Sequence, residues 1–296
     1  MQLWHPWRLL VIAWVAFGIV VVGSFGQECR VTTTVRVLSQ HGIPTVSLKP
    51  EQLSAKIGGS PATVVSVAQE PKPVTILVID ISSSMKEMWG QSVAAAKQVS
   101  ASAGDRVAVV VFSDQIVDDA SGREPTDKLL DRLATLKISL GGTALYDTLM
   151  EVAGAAKNPN TALVVISDGE DDASLHSSDQ TVDSFLKNRW PPVFGLVLDY
   201  AHNQRRREYF KKIVDGTGGV LAYPSSASKV AEAASEVSSE INAPFTIMLQ
   251  ASPPVLKPQK LKLEMVGPDG KPSHGTKLAH VAEITGCDAT PTPSTN

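Results

Sequence analysis

The chain has 296 residues, 43% of them hydrophobic, and a mean hydropathy of +0.02, which is enough to bury a full-sized core and carry a small satellite domain. A formal net charge of −3 and a pI near 6.1 supply no broad basic field, so nucleic acid is not an expected partner. The basic group Arg205, Arg206, Arg207, Lys211 and Lys212 has helical spacing and reads as a solvated face.

Residues 1–26 have the pattern of an export signal. A short segment with one arginine, Arg8, leads into an unbroken apolar run from Leu9 to Gly23. Ser24-Phe25-Gly26 places small residues where cleavage before Gln27 needs them. The alternative is an uncleaved anchor through residues 9–23. Either way the remainder is expected outside the cytoplasm: periplasmic, at the cell surface or secreted. No lipobox precedes Cys29. In an oxidising compartment Cys29 and Cys287 can bond, stabilising the chain by about 4 to 5 kcal/mol in the chain-entropy account. The sequence alone does not bring their Cα atoms into range, so a bond and two separate thiols both remain open.

Residues 27–70 read as a small β unit, with β-branched segments Val31 to Leu38 and Ala62 to Val67 between Gly- and Pro-marked turns. Gln69-Glu70-Pro71-Lys72-Pro73 is a punctuated linker. Over residues 71–243 strands alternate with helices. The predicted strands are Val74 to Ile79, Arg106 to Phe112, Ala162 to Ile166, Val193 to Leu198 and Gly219 to Ala222. The predicted helices are Gln91 to Ala103, Asp127 to Leu136, Leu145 to Ala156, Asp179 to Asn188, Arg205 to Asp215 and Ser228 to Ile241. Strands this apolar are buried on both faces, which predicts a doubly wound, mostly parallel α/β sheet flanked by helices. Residues 244–287 return to strand patterns at Phe245 to Gln250, Lys260 to Val266 and Leu278 to Ile284, expected as a second small β addition that packs with the first. The Thr-, Pro- and Ser-rich tail 288–296 is expected to be disordered.

The first strand of the α/β region ends in Asp80-Ile81-Ser82-Ser83-Ser84, a D-x-S-x-S pattern at the strand edge where ligands gather in open parallel sheets. Gly141-Gly142-Thr143 opens a helix, and Ser167-Asp168-Gly169 ends another apolar strand. Together these segments resemble the metal-ion-dependent adhesion site of the von Willebrand factor type A (VWA) family, over roughly Val74 to Ile241, with Asp105-Arg106-Val107 and Val111-Phe112-Ser113 in agreement. The resemblance implies a VWA/Rossmann-like fold. It assigns Ser82, Ser84 and Thr143 as hydroxyl ligands, and Asp80 and Asp168 as carboxylates that reach the ion directly or through water. The implied function is adhesion-type binding to a protein partner's Asp or Glu carboxylate, without catalysis. Upstream, Val35-Arg36-Val37-Leu38, Gly42-Ile43-Pro44, Leu48 and Gly58-Gly59 look like the β prelude of bacterial exported VWA-related proteins.

The donor set fits Mg²⁺, with Mn²⁺ or Ca²⁺ as substitutes, because a hard cation takes oxygen ligands and three neutral hydroxyls leave it able to accept one more anionic oxygen. Asp147 reads as a capping or exposed carboxylate, and Glu170, Asp171 and Asp172 as a solvated acidic loop at the same edge, the alternative being oxygens that support the ion's ligands from behind or form an acidic rim. Rival readings are weaker. An Asp at a strand end can be a phosphoryl nucleophile beside Mg²⁺, but Ser82 stands where a second acid is usual, and the chain has no Gly-x-x-x-x-Gly-Lys loop. It also lacks a Gly-x-Ser-x-Gly elbow, and His176 and His202 lie in polar segments. A scaffold whose ion only stabilises the fold predicts the same five residues.

Overall fold

The structure, a computed structural model, describes residues 29–38, 47–104, 107–119, 125–135, 138, 141–156, 158, 160–198, 204–241, 244–273 and 277–287. The apolar run 9–23 with its cleavage site, the Gly42-Ile43-Pro44 turn, Asp105-Arg106, Leu136, His202 and the tail 288–296 lie outside the described residues. Among the described residues no helix is long and apolar enough to cross a membrane.

Among the described residues three strands come first: β1 (Cys29–Leu38), β2 (Leu53–Ile57) and β3 (Ser60–Gln69). The α/β region follows with β4 (Val74–Asp80), α1 (Trp89–Ala103), β5 (Val107–Phe112), β6 (Ile116–Asp119), α2 (Thr126–Leu133), α3 (Leu145–Ala155) and β7 (Thr161–Ser167). It continues through α4 (Ser178–Asn188), β8 (Val193–Val197), α5 (Gln204–Thr217), β9 (Leu221–Ala222) and α6 (Val230–Ile241). The chain closes with β10 (Pro244–Ala251), β11 (Gln259–Met265), β12 (Lys277–His280) and β13 (Glu283–Ile284).

In the α/β sheet the strand order is β6-β5-β4-β7-β8-β9, parallel throughout except for β6. Alternate residues of one strand serve opposite cores, as the two-residue period of a strand requires. Leu77 and Ile79 of β4 join Val93, Val99, Leu130 and Val237 from α1, α2 and α6. Val78 between them joins Leu145, Leu149, Phe185 and Phe210 from α3, α4 and α5. The doubly wound expectation holds for this sheet. Helix α4 starts in a capping box, Ser177 Oγ accepting from the Gln180 N–H at 3.3 Å while Gln180 Oε1 accepts from the Ser177 N–H at 2.9 Å. The basic group of α5 behaves as a solvated face where it is described, Lys211 pairing with Asp215 and Lys212 with Asp179.

The β additions depart from the expectation of two small flanking pieces. They interleave into one antiparallel sheet of seven strands in the order β12-β1-β10-β3-β2-β11-β13. β1 lies between β12 and β10, with Cys29 opposite Ala251 and Arg36 opposite Pro244. The reason is burial. Among the described residues only one pair of strands is hydrogen-bonded within each piece, β2 with β3 and β11 with β13, too few to be stable alone, whereas together Val31, Val35, Ile57, Phe245, Ile247, Leu249, Leu261 and Leu263 enclose a common core. Cys29 and Cys287 are bonded at the edge of that core, with Cα atoms 5.1 Å apart.

The two sheets meet where the parallel strands begin. Arg36 of β1 donates from Nη1 to the Gly218 carbonyl at 3.2 Å and lies 4.7 Å over the Phe194 ring of β8. The Ala282 N–H donates to the Gly216 carbonyl at 3.3 Å. The opposite edge, where β4 and β7 end, is left to the loops that follow them.

Candidate metal centre

Asp80 is the last residue of β4 and is fully buried. Its Oδ1 accepts the Ser82 N–H at 2.8 Å and its Oδ2 accepts the Ser167 hydroxyl at 2.7 Å. A carboxylate has about four acceptor positions, so these bonds leave room for a further ligand. Ser82 precedes a 3-10 turn, Ser83–Met88, that runs into α1. The turn brings Ser82 Oγ within 3.1 Å of Ser84 Oγ, pairing two hydroxyl oxygens beside the carboxylate.

Asp168 follows β7, the strand next to β4, and is also buried. Its Oδ1 accepts the Glu170 N–H at 3.0 Å. Ser167 is the bridge between the two strand ends, since its hydroxyl donates to Asp80 and accepts the Gly169 N–H at 3.0 Å. Thr143, buried as well, comes to this edge through its neighbours. The Ser83 N–H donates to the Gly141 carbonyl at 3.4 Å, and the Ala144 N–H donates to the Ser113 carbonyl at 2.7 Å, at the end of β5.

Burial pushes the Asp80 carboxyl up to about 6; the Ser167 and Ser82 hydrogen bonds oppose this, and the nearby Asp168 charge adds to it. Two carboxylates crowded in a dry site gain from a cation between them, because desolvation and mutual repulsion are both relieved by an opposite charge. Among the described residues no group of three or more His, Cys, Asp or Glu side chains converges. The donors gathered at this edge are two carboxylates and three hydroxyls, which are all hard oxygens and suit Mg²⁺ better than a thiol- or imidazole-binding ion.

The acidic loop after Asp168 is exposed at Asp172 and Ala173, yet its carboxylates also bond backbone amides. Asp172 Oδ1 accepts the Thr143 N–H at 2.7 Å. Asp171 Oδ2 accepts the Tyr146 N–H at 2.9 Å and the Ser174 hydroxyl at 2.6 Å. Burial raises the Asp171 carboxyl, partly offset by those bonds. Asp147, expected as a capping or exposed group, instead ties the loop from the other side: its carboxylate accepts the Leu175 N–H at 2.8 Å and the His176 N–H at 3.2 Å, and contacts His176 Nδ1 at 2.7 Å. Burial works to raise the Asp147 carboxyl, but these bonds outweigh it and hold it below the usual range. The sequence signal for this arrangement is the density of Asp and Ser in Asp171-Asp172-Ala173-Ser174, residue types that bond nearby backbone amides.

The profile of the family described as VWA domain containing CoxE-like protein matches residues 26–188, more than half of the chain. No curated protein matches the sequence. Among solved structures, proximal thread matrix protein 1 from the mussel byssus, with a zinc-occupied MIDAS motif, is 15% identical with a TM-score of 0.41, covering 61% of this chain and 49% of its own. The pilus adhesin SpaC from Lactobacillus rhamnosus GG is 13% identical with a TM-score of 0.43, covering 86% of this chain and 47% of its own. The type V pili tip protein Mfa5 from Porphyromonas gingivalis is 9% identical with a TM-score of 0.41, covering 87% of this chain and 77% of the solved part. This chain thus spans about half the length of the first two.

Proposed function

This chain belongs to the family of VWA domain containing CoxE-like proteins, and from that premise we propose that it is a divalent-cation-dependent protein-binding module that carries out no catalysis. The observation that supports this most directly is the meeting of three loop ends at one sheet edge, where buried Asp80 and Asp168 stand with the Ser82 and Ser84 hydroxyl pair and with buried Thr143. Ser82, Ser84 and Thr143 would hold the ion through hydroxyls, and Asp80 and Asp168 through carboxylate oxygens or intervening water. A bound Mg²⁺, or Mn²⁺ or Ca²⁺ in its place, supplies a positive charge to which a partner's Asp or Glu carboxylate can attach.

The chain's own residues set how strong that charge remains. Two carboxylates offset a divalent ion formally, but the Ser82 amide and the Ser167 hydroxyl already draw on the Asp80 oxygens. The remaining ligands are neutral. An incoming anionic oxygen is then favoured more than it would be at a site built from three or four carboxylates. The partner is a protein presenting Asp or Glu, met outside the cytoplasm, with residues 9–23 as an export signal or anchor.

The test has two parts. Calorimetric titration with Mg²⁺ and Mn²⁺ should give one site in the wild-type protein and none in Asp80→Ala, with the far-UV circular dichroism spectrum unchanged. In pull-downs from source membranes, partner capture should be lost on chelation. Capture that persists undiminished in chelator, or by Asp80→Ala, would defeat the reading.

A further inference from the structure

We propose that Asp172 is a positioning residue of the metal centre: without belonging to the donor set, it fixes the Thr143 backbone and so holds the Thr143 hydroxyl at the site. The inference rests on the metal-binding reading and adds to it the part of the chain that makes the loop ligand rigid. Thr143 ends the segment Gly141-Gly142-Thr143, whose two glycines give it unusual backbone freedom. A neutral hydroxyl attracts a cation weakly compared with a carboxylate, so the ion itself can do little to order such a segment against its conformational entropy. Rigidity has to come from the protein.

Asp172 and its neighbour Ala173 provide it through three hydrogen bonds. Asp172 Oδ1 accepts the Thr143 N–H at 2.7 Å, a charge-assisted bond. Its own N–H donates to the Thr143 carbonyl at 3.0 Å, and the Ala173 N–H donates to the same carbonyl at 3.1 Å. Both polar groups of the Thr143 backbone are therefore committed to this loop. The approach is so close that a Cβ on Gly142 would stand 2.6 Å from Asp172 Oδ1 and 3.4 Å from the Ala173 Cβ. Such a Cβ would push the Asp172 carboxylate away from the Thr143 N–H.

The fastening continues in both directions across the first turn of α3. Ser174 Oγ accepts from the Tyr146 and Asp147 N–H groups, each at 3.1 Å, while the Asp147 carboxylate accepts from Leu175 and His176. Asp168 lies on the same segment, four residues before Asp172. The clamp thus fixes two of the five donors, Thr143 and Asp168, relative to each other. Asp171, Asp172 and Asp147 are spent on backbone amides in this arrangement, and the acidic loop is a brace for the site.

Mg²⁺ titration of the purified full chain and three variants tests this. Asp172→Ala should weaken Mg²⁺ about tenfold or more, the range expected when a group supporting a ligand is removed. Asp172→Asn should stay within about twofold of wild type, because an amide oxygen still accepts the Thr143 N–H. Gly142→Ala should weaken Mg²⁺ as Asp172→Ala does, and it keeps the test open if Asp172→Ala does not fold, as judged by melting in chelator. A loss in Asp172→Asn as large as in Asp172→Ala would overturn the proposal, since the residue would then act through its charge. Undiminished affinity in folded Asp172→Ala or Gly142→Ala would also overturn it. Failure of the wild type to bind Mg²⁺ or Mn²⁺ would be distinct and would sink the metal-binding reading together with the clamp.

Discussion

Arg36 joins two cores through one side chain. Burial lowers its pKa to about 10 while the charge of Glu240 opposes the fall, so the guanidinium stays charged at neutral pH. It sits over the Phe194 ring and donates to the Gly218 carbonyl, and Glu240 is itself buried. Arg36→Ala removes the Gly218 hydrogen bond, the contact with the Phe194 ring and a positive charge near Glu240, and a loss of about 2 to 4 kcal/mol is expected in urea denaturation. Adding Glu240→Gln should recover part of the loss, and no recovery would show that the cost is packing alone. His280 at the end of β12 gives a pH dependence. Burial holds its imidazole below its ordinary value near 6.5, against the opposing effect of the Val281 carbonyl. The unfolded chain then binds a proton more readily than the folded one, so this contribution is complete above about pH 6.5 and is lost as the pH falls through the interval below it. Between about pH 7.5 and 5.5 the wild type should lose more stability than His280→Gln, and equal losses would rule the linkage out.

Among the elements, the parallel strands were legible because each is an unbroken apolar run, and β7 is buried at every position. β2 and β6 were missed. Leu53-Ser54-Ala55-Lys56-Ile57 alternates between core and solvent over only five residues, and Ile116–Asp119 is a four-residue edge strand carrying two acids. Both rely on a neighbour's ladder more than on their own composition. The predicted strand from Gly219 begins instead at Leu221, because Gly218-Gly219 serves close approach. Gly218 has φ +79°, and a Cβ there would stand 2.8 Å from the His280 carbonyl carbon and the Val281 nitrogen. Gly218→Ala combines left-handed strain with that backbone clash, and a destabilisation of about 2 kcal/mol or more is expected. An unchanged urea midpoint would mean that β12 does not press on α5.

For the whole molecule, the bonded Cys29 and Cys287 are 258 residues apart in sequence and close the seven-stranded sheet with the α/β domain inside the loop. Replacing both by serine should reduce stability by at most about 5 kcal/mol, through the entropy regained by the unfolded chain. Mg²⁺ affinity should not change, because the bond lies in the core of the second sheet, while the candidate donors lie at the edge where β4 and β7 end. A metal affinity that falls with the disulfide would contradict the separation of the two regions.

By itself the sequence determined the alternating strand and helix region, and its resemblance to the VWA family named the five candidate donors. Strand runs, helix periods and a D-x-S-x-S at a strand end are local patterns, and an apolar strand followed by Asp80 can be read without knowing what lies beside it. Only the tertiary structure decided that the two β additions are one sheet, because pairing Cys29 with Ala251 depends on backbone hydrogen bonds between segments more than 200 residues apart. It likewise decided that the acids after Asp168 brace Thr143. Asp172 is exposed, and what ties it to the site is a backbone N–H 29 residues away, a donor that every residue except proline carries and that therefore leaves no trace in composition.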